Sequence, residues 1–256
     1  MPYLDVPGAR LYYEAAGAGP SLVFLHGVGS SAHTWDSQIR AFARRFRCLA
    51  PDMRGYARST VDDAATISMT RFALDVAALI EAENGGAAHV CGLSMGGIVA
   101  QHLRRARPEL VRSLVLADTW ANHPKAAAGQ TDRLRAIDEG SMPELAAARM
   151  PAVYGPDASP ELVQRGIDVF ASLDKAAYRA ASADLWIQDV RDIAESITVP
   201  ALVVVGEHDA ITPPSLSQEL AALIPAARLA VIPRAGHLTN EENPDEFNAV
   251  LKGFLP

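Results

Sequence analysis

Three residues of this 256-residue chain stand where nucleophilic chemistry would need them. Gly92-Leu93-Ser94-Met95-Gly96 fits the pattern G-x-S-x-G. A serine hydroxyl attacks a carbonyl carbon only when a base takes its proton and an acid orients that base. The motif directly follows a short apolar run (89–93) and directly opens a helix-like run (95–107), which is the setting of a nucleophile elbow. A sharp strand-to-helix turn leaves no room for side chains beside the serine, so glycines flank it, and the helix N-terminus favours developing negative charge. Base and acid are expected further along in the order Ser, Asp or Glu, His. Asp209, ending Gly206-Glu207-His208-Asp209, and His237, ending Arg234-Ala235-Gly236-His237, meet that order. Each follows a strand-like run, so both stand at the strand ends where open α/β sheets bind ligands. Glu207 and His208 are rivals by position, and Asp118, at the end of an earlier strand, is a second candidate acid.

The tetrahedral oxyanion needs donors. The Met95 N–H supplies one. The second is assigned to the Val28 N–H in Leu25-His26-Gly27-Val28-Gly29-Ser30, where two glycines let the backbone turn inward. His26 is read as a brace of this loop. The remaining histidines show no H-E-x-x-H spacing, which argues against a metal site, and no G-x-G-x-x-G or phosphate loop supports a nucleotide cofactor.

The elements that must position these residues follow from hydrophobic periodicity. Short strands are expected at 3–6, 11–14, 22–25, 48–50, 89–93, 113–117, 201–205 and 228–232, the later ones apolar on both faces. Helices are expected at 36–45, 67–83 (stopped by Asn84-Gly85-Gly86), 95–107, 215–223 and about 244–254. Strand and helix alternate, as in a mostly parallel sheet covered by helices on both faces. The alternation stops after Asp118: residues 120–195 are Ala-rich, proline-punctuated and helix-like. The expectation is a core of 1–119 and 196–256 with a helical cap of 120–195 over the site.

Composition narrows the partners. A net charge of −7 gives no basic footprint for nucleic acid. No run approaches the length needed to span a bilayer, and the N-terminal residues lack a signal-peptide pattern. Cys48 and Cys91 sit in apolar runs and read as buried thiols, which fits a cytoplasmic protein. A homo-oligomer is compatible with the sequence, which specifies no oligomeric state.

The segments HGVGSSAHTW, PDMRGYARS, GLSMGG and GEHD…GH, at these spacings, resemble the α/β-hydrolase superfamily across essentially the whole chain. The resemblance implies a cap, no cofactor and a triad of Ser94, Asp209 and His237. Trp35 and Arg54-Gly55 match positions that often brace the oxyanion loop. The stretches GLSMGGIVAQ, VPALVVVGEHDAITPP and AGHLTNEENPDEFNAVLKGFL are most similar to the 3-oxoadipate enol-lactonases, Leu238-Thr239-Asn240-Glu241 above all. PDMRGY instead looks like epoxide-hydrolase relatives, with Ala57 in place of a common glycine, but their chemistry needs Asp where this chain has Ser94. The resemblance implies hydrolysis of a small ester or lactone. A general carboxylesterase, a carbon–carbon bond hydrolase of ring-fission products and a non-catalytic ligand receptor are the alternatives. Trp35, Trp120 and Trp186 are candidates to wall the substrate, with plain packing as the competing reading. Arg133 and Arg191, with Arg135, Arg149 and Arg179, are candidates to meet a substrate carboxylate.

Overall fold

The computed structural model describes residues 3–83 and 86–256, so Asn84 and Gly85, part of the expected stop of the 67–83 helix, lie outside the described residues. The strands are β1 (Tyr3–Val6), β2 (Ala9–Ala16), β3 (Ser21–Leu25), β4 (Arg47–Pro51), β5 (Thr60–Val61), β6 (Ala88–Leu93), β7 (Val111–Ala117), β8 (Ala201–Gly206) and β9 (Arg228–Ile232). They form one sheet in the order β1-β2-β4-β3-β6-β7-β8-β9, with the two-residue β5 paired to β2. From β4 to β9 every pairing is parallel, while β1–β2 and β2–β4 are antiparallel. The crossovers bring β3, β6, β7 and β8 side by side, and their carboxyl ends make a common rim.

Burial explains why those strands read as continuous apolar runs. Every residue of β3, β6 and β8 is buried, as sandwiching between helix layers requires. β9 departs from that pattern. It is an edge strand with β8 as its neighbour, and Leu229 and Val231 are 41% and 49% exposed. The first helix ends at Phe42 rather than Arg45, because the chain at 43–46 closes over Gly17, where a Cβ would lie 2.2 Å from the Ala43 carbonyl. Ala57 has φ +46°, the left-handed region that favours glycine, so the replacement noted in the sequence carries backbone strain.

Between β7 and β8 the chain is helical: Pro124–Ala128, Gln130–Glu139, Met142–Arg149, Pro160–Ala171, Lys175–Leu185 and Arg191–Glu195. One isolated bridge, Asn122 to Asp189, joins the two ends of this insertion. Gly55 lets the insertion sit close, since a Cβ there would lie 2.8 Å from the Ala177 methyl.

Candidate active site

Ser94 sits at the tip of the strand-to-helix turn, between β6 and the helix Met95–Ala106. Its φ of 55° and ψ of −116° lie outside the regions open to a relaxed non-glycine residue, and such strain persists only where the surroundings impose it. Here they do. A Cβ on Gly92 would stand 2.1 Å from the Gly96 oxygen, and one on Gly96 would stand 2.1 Å from the Leu25 oxygen. The Ser94 N–H donates to the Ala117 oxygen at 2.8 Å, tying the turn to the end of β7. Thr119 Oγ1 donates to the Ser94 carbonyl at 2.9 Å. Thr119 went unnoticed in the sequence, which marks it with no motif.

Asp209 follows β8 and His237 follows β9, and the two side chains meet. His237 Nδ1 lies 2.8 Å from Asp209 Oδ2, with both residues buried. The Ile211 and Thr212 N–H groups each donate to Asp209 Oδ1 at 2.9 Å, and Thr212 Oγ1 donates to Oδ2 at 2.7 Å. Asp209-Ala210-Ile211-Thr212 is thus an Asx-type turn that aims one carboxylate edge at the imidazole. Thr212 is a second residue that sequence reasoning missed, although an Asp with Thr three positions on is a readable turn signal. The rivals face elsewhere: Glu207 and His208 are exposed and lie beside each other at 3.8 Å.

Asp118 is buried near this pair but is engaged otherwise. Its Oδ1 accepts the Gly206 N–H at 2.9 Å, and Thr239 Oγ1 donates to its Oδ2 at 2.5 Å. Burial pushes the Asp118 carboxyl well above the usual range, and the negative charge of Asp209 adds to that rise. For Asp209 burial also acts upward, but the His237 charge and the hydrogen bonds from His237 and Thr212 outweigh it and hold the carboxyl low. His237 is the mirror case: burial pulls the imidazole down, and the charge and hydrogen bond of Asp209 raise it above its ordinary value.

His26 braces its loop by both ring nitrogens. The Met53 N–H donates to Nε2 at 3.0 Å, which leaves the proton on Nδ1 to donate to the Gly27 oxygen at 2.8 Å. Burial lowers its pKa, in keeping with a neutral ring. Asp52 adds a tie that the sequence did not disclose, its Oδ1 accepting the Ala32 N–H at 2.7 Å. Among the described residues, neither the Val28 nor the Met95 N–H donates to a protein acceptor.

Ser94 and His237 line one cavity of about 990 Å³, with Val28 on its wall and the helical insertion over it. The aromatic candidates divide. Trp186 lines the cavity. Trp120 does not: it is fully buried behind Trp186, stacked at 5.3 Å and 6° between planes. Trp35 is likewise core, stacked 5.0 Å from Phe24 and tilted 6.1 Å from Phe247. Both are corrected from substrate wall to packing. Arg54 is a core residue as well, in a bidentate pair with Asp75.

The arginines divide the same way. Arg191 is corrected: it stands outside the cavity, half exposed, forked onto Asp189 at 2.9 and 2.6 Å. Arg135 and Arg179 are likewise taken up by Asp132 and Asp138. Arg133 and Arg149 do line the cavity, joined by Arg40, Lys125 and Arg165, against the acids Asp36 and Glu241. Arg133 lies 4.6 Å over the Trp186 ring and is held by the Ala126 and Gln130 oxygens, and Arg149 donates to Tyr178. Among the described residues, neither has a carboxylate within ion-pair distance. No group of three or more His, Cys, Asp or Glu among the described residues is arranged as a metal site.

A model of the alpha/beta hydrolase family matches residues 22–250, and the chain belongs to that family. A protein of Azorhizobium caulinodans, provisionally named a carbamate hydrolase, is 32% identical, with 99% of this chain and 98% of the relative covered. The 3-oxoadipate enol-lactonase 2 of Acinetobacter baylyi is 30% identical over 92% of this chain and 90% of its own length. Among solved structures, the enol-lactonase of Burkholderia xenovorans superposes with a TM-score of 0.91 at 29% identity, covering 99% of both chains. The names of these relatives point to more than one kind of substrate.

Proposed function

We propose that this protein is a serine hydrolase that cleaves a small carboxylic ester or lactone through an acyl-enzyme, with Ser94 as nucleophile, His237 as base and Asp209 as orienting acid. One observation carries the reading: an imidazole held by a buried carboxylate at 2.8 Å opens on the same cavity as a strained elbow serine. With Nδ1–H given to Asp209, the free Nε2 is the basic nitrogen. It takes the Ser94 proton as Oγ bonds to the carbonyl carbon. The negative oxygen is received by the Val28 and Met95 N–H groups, each worth roughly 3 kcal/mol in such sites. Collapse breaks the bond to the leaving oxygen, which takes the proton back from His237. Water, deprotonated by the same ring, then attacks the acyl carbon and frees Ser94. In this reading residues 120–195 are the cap, which selects the substrate and excludes bulk water.

A lactone or ester bearing a carboxylate, of the 3-oxoadipate enol-lactone kind, is the substrate reading the cavity favours. Its wall carries five cations against two acids, in a protein whose net charge is −7. Arg133 and Arg149, which have no ion pair among the described residues, are the groups we assign to that carboxylate. An enol is also a better leaving group than a simple alkoxide, so the first step asks less of the oxyanion donors.

Ser94→Ala tests the reading. The variant keeps the wild-type fold, loses at least about 10⁴ in kcat on an aryl ester, and no longer takes a fluorophosphonate label. Retained turnover removes the nucleophile. Wild-type protein that neither turns over esters nor labels is the ligand receptor of the alternative reading.

A further inference from the structure

The segment after the histidine, the part of the sequence most like the enol-lactonases, has work that the mechanism above leaves unexplained. It forms a single helical turn, Thr239–Glu242, whose consecutive side chains reach four different parts of the site. Thr239 reaches back to Asp118 at the end of β7. Asn240 Nδ2 donates to the Thr34 carbonyl at 2.7 Å, beside the loop that carries Val28. Glu241 faces the cavity. Glu242 turns the other way, to the helical insertion. Its Oε2 accepts the Gly155 N–H at 2.7 Å, while Oε1 accepts the Leu238 N–H at 3.1 Å.

The same junction is closed by backbone alone. The His237 N–H donates to the Val153 carbonyl at 2.8 Å. Gly155 and Gly236 touch: a Cβ on the first would lie 2.7 Å from the Gly236 nitrogen, and one on the second 2.3 Å from the Gly155 nitrogen. Two N–H groups from different segments therefore converge on one carboxylate, directly beside the imidazole. A carboxylate is acceptor on both oxygens, whereas an amide would set an NH₂ against one of the donors.

We propose that Glu242 is a positioning residue, a clasp fastening the stem of the insertion at residues 153–155 to the loop that carries His237, so that the imidazole is correctly presented to Ser94 only while the insertion is seated. The inference rests on His237 being the base of the proposed reaction. It makes the insertion part of the catalytic frame at this end rather than a lid that lifts freely.

The test uses the full chain and two readouts. Steady-state kinetics on a neutral aryl ester are compared for wild type, Glu242→Gln and Glu242→Ala, with Glu161→Gln, an exposed residue of the insertion, as control. Both Glu242 variants are expected to lose at least about tenfold in kcat, since ångström-scale misplacement of a base costs up to about 100-fold. KM should change less than kcat, because Glu242 itself does not line the cavity. Hydrogen exchange at 153–155 and 235–238 should accelerate while the helix Met95–Ala106 remains protected. Gly155→Ala, which pushes the junction apart from the insertion's side, should give the same kcat-specific loss and serves if the Glu242 variants do not fold. Unchanged kcat in both Glu242 variants, or a rise in KM with kcat kept, overturns the proposal. So does Glu242→Gln behaving as wild type, since an amide would then suffice. If wild type proves inactive on esters, the hydrolase reading fails and the exchange readout decides the clasp alone: unaltered protection at 153–155 in Glu242→Gln overturns it.

Discussion

Asp209 and Asp118 are both buried close to one imidazole, and the imidazole pairs with only one of them. Asp209 receives two N–H groups, a hydroxyl and the ring of His237, all of which favour the ionised form. Burial, and then the field of Asp209, push the Asp118 carboxyl well above the usual range, against the pull of His237 and of the hydroxyl and N–H that it receives. The imidazole is a base only when neutral, and Asp209 raises its pKa above the ordinary histidine value. The kcat/KM of the wild type should therefore climb with pH along a limb that lies above that ordinary value. Asp209→Asn removes the charge that raises the ring, so the limb moves to lower pH, and kcat falls by about 10⁴ as the wrong tautomer is favoured. Asp118→Asn leaves the Asp209–His237 pair in place and should lower kcat far less than Asp209→Asn does. A pH–rate series on the three proteins checks this, and the opposite ranking would move the acid to Asp118. At this scale the sequence disclosed the residue types and their chain order. It put Asp209 first and kept Asp118 as a second candidate, because both follow a strand, and the direction of the Asp209 carboxylate is set by the turn that Thr212 completes.

At the scale of elements, the site depends on how closely backbones approach. The helix Met95–Ala106 lies against β3 because Gly96 has no side chain, with room for a Cβ ending 2.1 Å from the Leu25 carbonyl. Backbone cannot yield there as a flexible side chain would. Gly96→Ala should cost about 3 kcal/mol or more in urea unfolding, with esterase activity lost alongside; a stable and active variant would show the elbow to be adaptable. Strands buried on both faces were legible as apolar runs, and the elbow as a motif placed between strand and helix. β5 was not, since two residues make no period. The exposed face of β9 was not either, because edge position is a property of strand order, which Leu229 and Val231 do not encode.

The whole molecule is acidic, with 23 Lys and Arg against 30 Asp and Glu, yet five of those cations and only two of those acids line the cavity. Local field and global field thus oppose each other, and a low-dielectric cavity concentrates the local one. Raising the salt from about 0.02 M to 0.5 M should lower kcat/KM several-fold for an ester bearing a second carboxylate. A neutral ester of the same size should change little, and equal salt dependence of the two would remove the electrostatic role of the wall. Among the described residues no helix is long and apolar enough to cross a membrane. By itself the amino-acid sequence determined the α/β fold, the strand-to-helix turn at Ser94 and the placement of Asp209 and His237 after strands, because apolar period, glycine placement and strand ends act locally along the chain. Only tertiary structure decided which tryptophans and arginines reach the cavity. Trp120 and Trp186, or Arg133 and Arg191, are alike in type and lie in the same stretch between β7 and β8. They are separated by burial, Trp120 lying stacked behind Trp186, and by whether an aspartate such as Asp189 stands close enough to claim the charge.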